Sequence, residues 1–314
     1  MKDKVLCIGE ALIDFIPLEN GALKNVSSFK KMVGGAPTNV ACAISKLGGK
    51  ARLLTKLGDD AFGEYILDEL NHNNVDTTYI IKDKDYDTSL AFVSLDDDGN
   101  REFKFYRKTA SDLNLEISEV PMKIIEDIGI MHFGSVDLAS EKMRDVHKYL
   151  LNLAKNHDIK VSFDPNIRLN LWDNEAEYKE VIDSFLEYVD IIKISCDEFE
   201  FVTGTNDIDL GIKYLFNKGI KEVLYTMGDK GARVYFSDMT YIESKGIKVD
   251  VIDTTGAGDA FMGTYLYFLS SLGKEYLDHK VCAYMGLLLA NKCAAYSCMR
   301  HGAINSYLSS EDIA

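Results

Sequence analysis

The chain of 314 residues is 46% hydrophobic, enough for one large α/β domain or two modest ones with a buried core. Its 35 Lys and Arg stand against 50 Asp and Glu, a net charge of -15, and no Lys/Arg run appears, which argues against a nucleic-acid partner. The six cysteines (Cys7, Cys42, Cys196, Cys282, Cys293, Cys298) lie mostly in apolar runs, without the close pairs of zinc or disulfide frameworks, and read as reduced core thiols.

Val5 to Ile8 reads as a short strand ending at Gly9-Glu10. The apolar stretch continues to Ile16, but Glu10 and Asp14 break it, so it is neither a secretory core nor a membrane span, and a cytoplasmic protein with no membrane partner is expected. Asp14 lies just past a strand, as a ligand contact or as a solvated edge residue. Gly34 and Gly35 precede a helix whose apolar face runs through Ile44 and Leu47 to a Gly48-Gly49 stop. Asn39, in its first turn, could bond sugar hydroxyls or satisfy the helix's own N–H groups. From Thr88 to Arg107 the residues alternate around the turn Asp96 to Asn100, which predicts a β-hairpin. With the Ile13 to Met32 region it makes a small sheet, a lid formed by about 12–33 and 88–108.

Helix and strand then alternate. Strands are predicted at Ile128–Phe133, Lys160–Phe163, Ile191–Ile194 and Glu222–Thr226, with helices at Glu141–Asn156, Glu175–Tyr188 and Lys213–Asn217 between them. This predicts a single α/β domain over 1–314, with a mostly parallel sheet covered by helices on both faces. Polar clusters close these strands: Gly134-Ser135, Asp164 to Arg168, Ser195 to Glu198, and Thr226 to Gly231. Each alone is an ordinary turn or cap, but ligands of open α/β sheets bind at strand carboxyl ends, so together they would line one cleft.

The last stretch, Asp253-Thr-Thr-Gly256-Ala257-Gly258-Asp259, follows an alternating apolar run at Val249, Val251 and Ile252, read as a strand, and precedes a helical run from Ala260. Small residues at a helix N-terminus let backbone N–H groups converge on an anion, so the turn is a cradle for phosphate. Asp259 is placed to take a proton from an attacking hydroxyl. The plain alternative is a loop whose aspartates only cap a helix. An acidic chain handling phosphates needs a divalent metal or local positive potential to offset its own field, so magnesium is expected.

With these residues in hand, the chain resembles the ribokinase-like (pfkB) family of sugar kinases nearly end to end. The segments Gly34 to Ala41 and Asp253 to Asp259 match the family's two signatures in type and order. The resemblance implies a three-layer ribokinase-like fold with a small β-sheet lid, and Asp259 as the catalytic base beside an anion hole of Gly256, Ala257 and Gly258. It implies a sugar held by Asp14, Gly34, Gly35 and Asn39, with Arg107, Asn166 and Arg168 nearby. ATP would lie along Ser195, Thr226, Gly228, Gly231 and Asn291. Glu198 would organise Mg2+ through water, and Asp253, Thr255 and Ser306 match a site for a monovalent cation such as K+. Ser195 stands where the family commonly has Asn. Features at Gly9 to Phe15, Phe105 to Arg107, His132 to Ser135 and Asp164 to Trp172 are similar to those of fructokinases, with kinases of 2-keto-3-deoxygluconate second. Ribose or a nucleoside remain alternatives, as does a non-catalytic sugar sensor. A homodimer through the lid is expected, because an open lid sheet exposes edges that proteins usually cover.

Overall fold

The computed structural model describes residues 2–19, 21–95, 101–271 and 279–313. In chain order its strands are β1 (Lys4–Ile8), β2 (Leu12–Pro17), β3 (Phe29–Gly34), β4 (Lys50–Leu54), β5 (Lys56–Gly58), β6 (Ile81–Asp83), β7 (Ser89–Leu95), β8 (Arg101–Tyr106), β9 (Ile128–Gly134), β10 (Lys160–Asp164), β11 (Ile191–Ser195), β12 (Glu222–Thr226), β13 (Gly231–Phe236) and β14 (Tyr241–Lys245). The helices are α1 (Ala36–Lys46), α2 (Ala61–His72), α3 (Glu141–Asn156), α4 (Glu175–Leu186), α5 (Phe199–Thr203), α6 (Ile208–Asn217), α7 (Ala257–Ser271), α8 (His279–Ser297) and α9 (Ser310–Ile313).

Eight strands form the main sheet in the order β14-β13-β12-β11-β10-β9-β1-β4, parallel except for the two antiparallel pairings that add β13 and β14 at one edge. Side chains alternate across it. In β1, Leu6 and Ile8 enter one core with residues of α3 to α6, while Val5 and Cys7 enter the other with residues of α1, α2, α7 and α8. The result is the three-layer arrangement in which apolar strands are buried on both faces. Cys196 is exposed, so the reading of the thiols as core residues holds for Cys7, Cys42 and Cys293 and not for all six.

A second sheet, β3-β2-β7-β8, stands apart from the first. Its β7 and β8 form the expected hairpin, whose turn at 96–100 lies outside the described residues. Phe15 stacks on Phe92 at 4.6 Å between ring centroids, and Phe29 and Tyr106 meet Phe92 edge-on, so one face of this sheet is an aromatic cluster. Among the described residues no helix is long and apolar enough to cross a membrane.

One predicted element is absent. The run at Val249, Val251 and Ile252 is not a strand; pairing ends with β14 at Lys245, and the chain continues to the Asp253 turn without a sheet partner. Val251 and Ile252 are 62% and 55% exposed, and Val249 and Val251 line a cleft. Their apolar character serves that wall, not a sheet interior. The helix after the turn also starts at Ala257, three residues earlier than predicted.

Candidate active site

The carboxyl ends of β1, β9, β10, β11 and β12 all open on the side where α7 begins, because these strands run parallel. At the β10 and β11 ends lies a buried charge cluster. Lys193, in β11, is 6% exposed and donates to both carboxylate oxygens of Asp164, at 2.9 and 3.1 Å. Burial works against its charge, but the carboxylates of Asp164, Glu198 and Asp259 outweigh burial and hold the ammonium above the ordinary lysine value. A methyl group built on Gly258 would lie 3.2 Å from Lys193 Nζ, so this cation sits against the first turn of α7.

Glu198 is braced by three donors: Ile167 N–H on one oxygen at 2.8 Å, and the Ser195 N–H and hydroxyl on the other at 3.1 and 2.6 Å. Burial pushes the carboxyl up, yet Lys193 and these donors prevail and hold it below the ordinary glutamate value. Glu198 is therefore a fixed negative charge.

The Asp253 turn is built by its own residues. Asp253 accepts from Thr255 N–H at 2.7 Å and Gly302 N–H at 2.9 Å, which closes the loop against the chain after α8. Gly256 has φ +74°, and a Cβ there would come within 2.5 Å of the Tyr307 hydroxyl and 2.6 Å of Ala303 Cβ, so glycine is required twice over. First-turn N–H groups have no acceptor within their own helix, and at α7 they open toward the cleft. The Ala257 N–H is taken up by Thr254 O at 3.2 Å.

Asp259 is 8% exposed and accepts from Asn39 Nδ2 at 2.8 Å. Burial raises its carboxyl above the ordinary aspartate value, offset in part by the Asn39 hydrogen bond and the charges of Lys193 and Arg168. Asn39 thus does not cap α1 and is joined to the first turn of α7, and its Oδ1 has no hydrogen-bond partner. Asp14 lies in β2 close against Gly34: a Cβ on Gly34 would be 2.1 Å from Asp14 Oδ2, so the glycine makes room for the carboxylate. A cleft of about 810 Å³ leads away from this point, lined by Lys193, Ser195, Thr226, Gly228, Gly231, Ala257, Gly258 and Asn291 among others. Asn291 donates to Ser244 Oγ and Lys245 O and ties α8 to β14 at the cleft wall.

A profile of the pfkB family of carbohydrate kinases matches residues 2–310. The chain belongs to this family. Its relatives include a protein named probable fructokinase-2 from Arabidopsis thaliana, 40% identical over 309 residues, covering 96% of this chain and 92% of that one. A fructokinase from Xylella fastidiosa solved with bound ATP superimposes with a TM-score of 0.89 at 29% identity, covering 100% of this chain and 97% of that one. A Vibrio cholerae fructokinase double mutant solved with fructose, ADP and potassium superimposes at 0.86 and 31% identity, covering 96% and 94% of the two chains. The fold of this carbohydrate kinase is accordingly ribokinase-like.

The expected residues of this kinase fall into three places. Asp14 of β2 lies against Gly34, next to Gly35, and Asn39, one turn farther along in α1, holds Asp259 of α7. Ser195, Thr226, Gly228, Gly231 and Asn291 line the cleft, with Glu198 bonded to Ser195 behind it. Asn166 and Arg168 follow β10; Asn166 has φ +46°, and Arg168 lies close enough to Asp259 to act on its charge. Arg107 is placed differently. It is 5% exposed, and its guanidinium bonds Asp112, Ser89 and Val136 O. Sequence reasoning missed Lys193, whose signal was available: a lone charge in the otherwise apolar strand Ile191–Ser195 must be paired if buried.

Proposed function

We propose that this kinase transfers the γ-phosphoryl group of ATP to the 6-hydroxyl of D-fructose, with Asp259 as the base. The observation that carries the reading is the Asn39–Asp259 hydrogen bond, which joins the sugar-side helix to the phosphate turn across 220 positions of sequence. Fructokinase names among the relatives, and neighbours solved with ATP or with fructose and ADP, support the substrates.

In this mechanism Asp14 and Asn39 hold sugar hydroxyls, Gly34 and Gly35 let the sugar approach the backbone, and Asn166 and Arg168 close the pocket from the β10 side. Asn39 fixes Asp259 Oδ2, so Oδ1 faces the attacking hydroxyl and takes its proton as the oxygen bonds to phosphorus. A buried carboxylate with a raised pKa is a stronger base than a surface aspartate. The Gly256 and Gly258 amides and the Lys193 ammonium accept the negative charge that grows on the phosphoryl oxygens. Ser195, Thr226, Gly228, Gly231 and Asn291 hold the nucleotide along the cleft.

The oxygen donors present fit a hard divalent ion, because Glu198 is held ionised beside the cleft. Mg2+ organised by Glu198 through water would supply charge neutralisation at the phosphates. Thr255 Oγ1 is buried without a hydrogen-bond partner next to Asp253, and Ser306 is fully buried nearby, a donor set that fits a monovalent cation such as K+. The small sheet acts as a lid that excludes water, and Tyr106, 58% exposed on its aromatic face, supports a homodimer through that face. The free thiols go with a cytoplasmic enzyme.

A coupled ADP-release assay with ATP, Mg2+ and K+ across fructose, ribose, glucose, adenosine and 2-keto-3-deoxygluconate tests the reading. A dominant kcat/KM for fructose is expected. A different preferred sugar would overturn the substrate, and no turnover with any would bring forward a sugar-sensing role.

A further inference from the structure

The four strands of the small sheet are rooted in one buried charge cluster. Leu12 of β2 stands opposite Gly34 and Ser89, and one row farther out Asp14 stands opposite Met32 and Ala91, with Ala91 opposite Phe105. Alternation places Arg107, two residues past Phe105, on the Asp14 face and one row deeper, and its Nε bonds Ser89 Oγ at 3.3 Å there. The guanidinium is thus on the sugar side of the sheet, at its base.

That guanidinium is already claimed. Asp112 takes its Nη2 at 2.6 Å and is held from its other oxygen by the Ser89 hydroxyl. Asp137 and Glu10 also face it electrostatically, and both are buried. Both Asp137 oxygens and Glu10 Oε2 have no hydrogen-bond partner, while Glu10 Oε1 accepts from Ala36 N–H, just past Gly35. His147, 3.8 Å from Asp137, is kept neutral by burial. One guanidinium therefore faces three carboxyl groups directly behind the sugar pocket.

We propose that Asp112 sets the substrate class of the enzyme: by occupying Arg107 it excludes sugar acids and leaves the pocket to neutral sugars. The inference rests on the sugar-kinase reading above. A sugar acid phosphorylated on its terminal hydroxyl carries its carboxylate at the opposite end from that hydroxyl, hence away from Asp259 and from Arg168 beside it. The guanidinium left for it is Arg107. A desolvated carboxylate binds only where an unclaimed cation receives it; here it would meet a guanidinium whose charge is already paired with Asp112, and would be buried without a counter-charge.

The test compares kcat/KM for fructose and for 2-keto-3-deoxygluconate in the wild type, Asp112→Asn and Asp112→Ser. The wild type is expected to prefer fructose, and Asp112→Asn to lower the fructose-to-acid ratio by about tenfold or more, mainly through KM for the acid. Adding Arg107→Gln to that variant should cancel the change. If Asp112→Asn does not fold, Asp112→Ser, which also removes the charge, gives the same readout. An unchanged ratio in folded variants, with the wild type still preferring fructose, overturns this inference alone. A wild type that prefers the acid overturns the fructose reading as well.

Discussion

Replacing Lys193 by Met removes the cation bonded to Asp164, in a site where both side chains are buried. Opposite charges about 4 Å apart attract by about 4 kcal/mol at an effective dielectric near 20. Removing one partner of a buried pair typically destabilises by about 3–5 kcal/mol, because the other charge is left uncompensated. Burial already lifts the Asp164 carboxyl to about 6, against the pull of Lys193. Without that pull the carboxyl takes a proton at neutral pH and escapes part of the penalty. The expected loss is therefore at the lower end, about 3 kcal/mol by urea unfolding at pH 7. Adding Asp164→Asn should recover part of it, since the carboxylate bonded to Lys193 is then no longer stranded. Turnover should behave otherwise. Lys193 borders the phosphate turn, so both the single and the double variant should lose about 10²–10³-fold in kcat, the usual effect of removing one fixed group that stabilises transition-state charge. If the double variant regains wild-type turnover along with its stability, Lys193 is a structural partner of Asp164 and nothing more.

Gly256→Ala puts a Cβ 2.5 Å from the Tyr307 hydroxyl at φ +74°; left-handed strain and overpacking together should destabilise by about 2–4 kcal/mol in thermal unfolding. Asn39→Ala removes the hydrogen bond that lowers the Asp259 pKa, so the acid limb of the kcat/KM profile should move to higher pH and kcat should fall about tenfold or more. The wild-type acid limb should itself lie above the ordinary aspartate value near 4, because burial raises Asp259. Burial pushes Glu10 and Asp137 each to about 8. Folding then favours their protonated forms, so the stability they contribute is complete below about pH 4 and is lost as pH rises toward 8. Melting temperature should fall between pH 6 and pH 8, and Asp137→Asn should flatten that fall.

The run from β9 to β12 was legible because short, largely apolar strands alternate with helices and α3 is strongly amphipathic, so period and length agreed. The edge strands β13 and β14 went unread; β14, Tyr-Ile-Glu-Ser-Lys, is half exposed and carries little periodic signal. The apolar residues 249–252 were misread for the opposite reason: they alternate like a strand but line a cleft. The turn before α7 was legible from its glycines, since few residue types permit the backbone at Gly256. What local pattern cannot show is partnership across the chain. Asn39 read as a sugar contact or a helix cap until Asp259 was found beside it, Arg107 looked available until Asp112 was found on its guanidinium, and Lys193 needed Asp164 to be recognised as a fixed charge.

The most direct measurement is steady-state ADP release by Asp259→Asn with fructose, ATP and Mg2+, alongside ATP affinity by calorimetry. Asn keeps the shape and can still bond Asn39, but it cannot take a proton. Turnover should fall by about 10²-fold or more while ATP affinity and melting temperature stay close to wild type. A variant that retains near-full turnover would show that the proton leaves by another route and that Asp259 is not the base.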